Sequence, residues 1–127
     1  MKNKRFKGLA YSSGILLWVM GAFHGSGLLF ITELVNASNL SDGIKSIFPV
    51  LFILPSIEMI GLGVLCFLAP TLDGQRAYLV YYVVCFLVVI NAFLAFYLKA
   101  WIPGVILLIP SILVFVIAFR LKKSQDS

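Results

Sequence analysis

Apolar positions fall in four long blocks, and polar positions collect in the short stretches between them. The blocks cover about residues 9–32, 47–69, 76–98 and 102–119. A bilayer crossing by a helix takes roughly 17–25 residues, and each block has that length. Only helices and closed barrels satisfy their backbone groups in lipid. The pattern therefore predicts an all-α integral membrane protein, an antiparallel bundle of four transmembrane helices forming a single domain over residues 1–127.

The punctuation between blocks refines this. Residues 33–46 are rich in Asn, Ser, Asp and Gly and read as the longest loop. Two N-x-S triplets, at Asn36 and Asn39, lie in it. Such triplets are common by chance, and these sit close to the membrane. Residues 70–75 and 99–104 are short turns, so spans two and three are expected to pack as a hairpin. Pro49 and Pro55 predict a kink near residues 51–55, because proline removes a donor and clashes one turn back. Tyr78, Tyr81 and Tyr82 open span three as an interfacial aromatic belt would, and Trp101 anchors the turn before span four.

Composition agrees with the pattern. The chain is 61% hydrophobic and 12% charged, with mean hydropathy +1.06, more apolar surface than 127 residues can bury on themselves. The net charge of +5 comes from the ends and turns rather than from a patch, which argues against a nucleic-acid partner. Lys2, Lys4, Arg5 and Lys7 precede span one, Arg76 lies at the second turn, and Arg120, Lys122 and Lys123 follow span four. Lys45 and Lys99 fall on the opposite side. The positive-inside rule then places both termini in the cytoplasm, in a plasma or bacterial inner membrane. The first block is too long for the apolar region of a cleaved signal peptide, about 7–15 residues, and reads as a retained signal anchor. Residues 124–127 read as a polar tail. Cys66 and Cys85 lie within apolar blocks without C-x-x-C spacing and read as small buried hydrophobes.

Candidate chemistry narrows to three side chains at membrane depth: His24, Glu58 and Asn91. Polar groups there are costly and usually face the bundle interior. At ~1.5 Å per residue, His24 and Asn91 each lie ~22 Å from the terminal side and Glu58 ~18 Å, so all three fall within about one helical turn in depth. Gly21, Gly25 and Gly61 lie near His24 and Glu58 and are expected to let helices pack closely. A central pocket lined by His24, Glu58 and Asn91, with a His24–Glu58 contact, is the expected site. A structural reading stands beside it, in which each residue is simply satisfied by a neighbouring helix. One histidine is too few for a haem or zinc site, so no metal or cofactor is expected. Ser26, Ser56 and Ser111 carry no nucleophile motif.

In size and span count the chain is similar to small multidrug transporters, quinone-linked disulfide oxidoreductases and DoxX-like proteins. The first family's mid-span glutamate is replaced here by Trp18 to Gly21, and the second family's C-x-x-C is missing, so neither activity carries over. The DoxX-like likeness rests on span count alone. The reading is thus a multi-pass membrane protein whose activity the residues leave open. A small carrier or ligand-binding bundle ranks first, a non-catalytic membrane subunit or scaffold second, and a membrane-embedded enzyme third. Its partners are the lipid bilayer and, beyond that, a second copy or a larger membrane complex.

Overall fold

The structure, a computed structural model, describes residues 4–123. Lys2 of the basic cluster and the 124–127 tail lie outside the described residues. The elements are α1 (Lys4–Ser26), α2 (Leu28–Ala37), α3 (Asp42–Leu68), a 3-10 turn (Ala69–Thr71), α4 (Gly74–Tyr97) and α5 (Trp101–Lys123). They make four units long and apolar enough to cross a bilayer: Phe6–Ala37, Asp42–Thr71, Gly74–Tyr97 and Trp101–Lys123. The chain is an all-α four-helix bundle, with α1 and α2 together forming the first crossing unit.

The long loop expected over residues 33–46 shrinks to residues 38–41. Residues 33–37 extend α2, and 42–46 open α3. Ser41 is the N-cap of α3, with Asp42 in its first turn, where an acidic side chain suits the helix dipole. Lys45 Nζ donates to Asn36 O at 3.1 Å and closes the loop. The first crossing unit is interrupted at Gly27, whose amide turns back to His24 O at 3.1 Å. Its dihedrals stay right-handed, with φ -69° and ψ -12°, so the break is slight and the helix direction carries on into α2.

The two remaining connections are capped tightly. Asp73 accepts a hydrogen bond from the Arg76 amide at 2.9 Å and starts α4. At the other end of α4, the Ala100 amide donates to Ala95 O at 2.8 Å and the Lys99 amide to Phe96 O at 3.0 Å. This is a Schellman motif, and Lys99 occupies its left-handed position with φ 60°.

Helix pairing departs from the hairpin expected between spans two and three. The main interfaces are α4 with α5 and α1 with α3, followed by α1 with α5; α3 and α4 touch only sparsely despite their short connection. Glycines explain the choice. A Cβ on Gly14 would lie 2.9 Å from Gly63 O, and one on Gly21 would lie 2.9 Å from Ser56 O. The α1 and α3 backbones therefore meet most closely at glycines, with Gly14 opposite Gly63 and Gly21 against the Ser56 carbonyl. Trp18 crosses the same seam, its Nε1 donating to Ile60 O at 3.0 Å. In α5, Gly104 receives the Phe96 ring of α4. The core comprises Leu17, Tyr81, Val84, Val88, Val114 and Ile117, all fully buried, while Val19, Leu29, Phe86, Phe93 and Ile112 face outward as a lipid-facing surface requires.

Candidate functional site

Sparse contact between α3 and α4 leaves a cavity of about 430 Å³ in the half of the bundle far from the termini. Its walls come from α1 (Met20, Phe23, His24), α3 (Phe52, Pro55, Met59), α4 (Asn91, Leu94, Ala95) and α5 (Pro103, Leu107). The volume suits a small organic ligand, for which pockets run roughly 300–1,000 Å³. The walls are mostly aliphatic and aromatic, with His24, Ser26 and Asn91 as the polar exceptions.

Two hydrogen-bonded pairs stand at this level of the bundle. His24 Nδ1 lies 3.0 Å from Ser56 Oγ, and the His24 ring stacks on Phe52 with centroids 4.4 Å apart and planes 17° from parallel. Asn91 Nδ2 donates to Glu58 Oε1 and to Leu87 O, each at 3.0 Å. Ser56 is bonded across helices to His24 and Glu58 to Asn91, and His24 and Asn91 line one cavity, so the four stand at a common level of the bundle. The expected facing does not hold. His24 and Glu58 each bond to a different partner, and Glu58 stands behind Asn91 rather than among the cavity-lining residues. Residues 56 and 58 point about 200° apart on a helix, so a face that offers Ser56 to α1 turns Glu58 toward α4.

The glycines divide in the same way. Gly21 and Gly25 form the close α1–α3 contact, and a Cβ on Gly25 would sit 3.3 Å from Ser56 Oγ. Gly25 thus leaves room for the serine to reach His24. Gly61, expected to pack, is exposed, and a Cβ there would meet nothing within 4 Å. Gly14 and Gly63 fill the role instead. They could have been found in the sequence by the stripe Phe52, Ser56, Met59, Gly63, whose spacing of three and four marks one face of α3.

Ser56 is the residue that motif reasoning passed over. It is 2% exposed, and among the described residues His24 is its side chain's hydrogen-bond partner. The tyrosine belt also divides. Tyr78 and Tyr82 pair with centroids 6.0 Å apart, but Tyr81 is fully buried in the core. Cys66 and Cys85 are free thiols, and Cys85 Sγ donates to Ser111 O at 3.6 Å. Among the described residues, no three His, Cys, Asp or Glu side chains converge as a metal site would require. No known protein family, characterised protein or solved structure matches this chain.

Proposed function

We propose that this multi-pass membrane protein binds a small apolar molecule in the cavity between α3 and α4. The observation that carries the reading is the cavity itself. It is a cleft of about 430 Å³, partly open to the surroundings of the bundle, that sets a histidine and an asparagine among apolar walls, the usual make-up of a small-molecule site. The three sequence-derived residues then take unequal parts: His24 and Asn91 meet the ligand, and Glu58 holds Asn91.

The test uses 2-dodecanone, a neutral apolar ketone, added to the purified protein in mild detergent and counted by native mass spectrometry. The wild-type protein is expected to hold one molecule. Ala95→Phe, which places a ring in the cavity, is expected to hold none while unfolding at a similar temperature. Leu107→Trp fills the space from α5 and serves as the second variant. Equal binding by all three proteins, or none by wild type, overturns the reading.

The charge distribution supports an orientation with both termini in the cytoplasm and the 38–41 loop outside. A cysteine introduced at Asn39 should then react with a membrane-impermeant maleimide in intact cells. Labelling only after lysis would reverse the topology.

A further inference from the structure

Resting on that reading, we infer that the cavity's ligand is a neutral single-chain lipophile whose head carries a carbonyl acceptor and a hydroxyl donor, held by His24 and Asn91 respectively. The argument follows the hydrogens. A buried hydroxyl that leaves its proton unpaired is unfavourable by several times the net value of an ordinary hydrogen bond. Ser56 Oγ is buried, and among the described residues its one acceptor is His24 Nδ1, at 3.0 Å. The serine proton must go there. Nδ1 is then the unprotonated nitrogen of a neutral ring, and the ring's hydrogen sits on Nε2. Ser56 is thus a positioning residue that fixes the tautomer. Nε2–H lies on the opposite side of the ring from Ser56, and His24 lines the cavity.

The same accounting applies to Asn91. Its amide orientation is set by two oxygens, since Leu87 O can only accept and Glu58 Oε1 lies at the same 3.0 Å. Both Nδ2 hydrogens are spent on them. Oδ1 keeps its acceptor capacity and has no partner among the described residues, while Asn91 also lines the cavity. Ser26, the third polar residue of the lining, spends its hydroxyl proton on Phe23 O at 2.7 Å and can only accept further. The site therefore offers one donor, His24 Nε2–H, and acceptor capacity at Asn91 Oδ1 backed by Ser26 Oγ, in surroundings that are otherwise apolar. A carbonyl oxygen answers Nε2–H, and a hydroxyl answers Oδ1. The cavity-lining residues include neither an acidic nor a basic side chain beyond the neutral imidazole, so a charged head would be left uncompensated.

The test compares 1-hydroxy-2-dodecanone with 2-dodecanone and dodecane by native mass spectrometry on the intact chain. The hydroxyketone should bind roughly tenfold tighter than the ketone, the usual scale for satisfying one buried polar group. Asn91→Leu should erase that advantage, so that hydroxyketone and ketone bind this variant equally. Because His24 is the only histidine, ¹⁵N-histidine NMR reads its tautomer without assignment. The expected spectrum shows a hydrogen on Nε2 alone, Ser56→Ala mixes the tautomers, and the hydroxyketone moves the Nε2 signal more than Nδ1. A hydrogen on Nδ1, or equal affinity for hydroxyketone and ketone, overturns the inference and leaves the cavity reading intact. Failure of every probe to bind removes both.

Discussion

Tyr81→Phe should make this protein more stable. Tyr81 is fully buried in α4, and among the described residues its hydroxyl is the one buried side-chain oxygen or nitrogen with no hydrogen-bond partner. Mutational data put the penalty for such a group at about 1–3 kcal/mol. The net gain depends on where the hydroxyl goes when the helices part. Tyr81 lies eight residues past the Asp73 cap, ~12 Å along the helix, close enough to the membrane surface for a released phenol to find a polar partner. Hydrogen bonds inside membrane bundles average only ~0.6 kcal/mol, which places the gain toward the low end of that range. About 1 kcal/mol, or roughly a fivefold shift of the folding equilibrium, is the expected value. The assay is titration of the protein in mixed micelles with sodium dodecyl sulfate, followed by tryptophan fluorescence. Tyr82→Phe, on an exposed ring, is the control and should change nothing. If Tyr81→Phe is neutral or destabilising, the hydroxyl has a partner, such as a buried water, and the accounting is wrong.

Two further outcomes follow from the backbone. Gly21→Ala pushes a methyl against Ser56 O and should destabilise the bundle by about 1–3 kcal/mol, whereas Gly61→Ala meets open space and should stay within ~0.5 kcal/mol, both read by the same titration. Lys99→Gly releases a left-handed residue from its Cβ strain and should stabilise by ~1 kcal/mol; a loss of stability would mean that the lysine side chain contributes more than the strain removes.

The fold was legible because its signal is a length: four apolar blocks of spanning size leave little choice of architecture. A common level was legible for the same reason, since counting residues along a helix places His24, Glu58 and Asn91 within about one turn of each other. Rotation about the helix axis was not. Glu58 was the conspicuous residue and drew the expected pairing, but Ser56, two positions earlier, faces α1. Choosing between them requires knowing which stripe of α3 meets α1, and that is decided by Gly14 opposite Gly63. Closeness to Glu58 points to Gly61, whereas the α1 seam uses Gly63 two positions on. The loop at 33–46 was overread because Asn, Ser and Asp are loop formers and also helix-capping residues. Tyr81 stands where an interfacial anchor would by position, and only its burial in the folded bundle shows that it turns inward.

The pairing of α1 with α3 and of α4 with α5 bears on how the chain assembles. Each main interface joins segments that are neighbours in sequence, the first complete by residue 71 and the second built from residue 74 onward. During synthesis the first pair is made in full before the second begins. Closure of the α1–α5 seam is the only extensive long-range event, and the cavity forms at that moment because α3 and α4 are brought together without fitting. A cut between residues 71 and 73 would leave both main interfaces within single pieces and the α1–α5 seam as the principal contact between them.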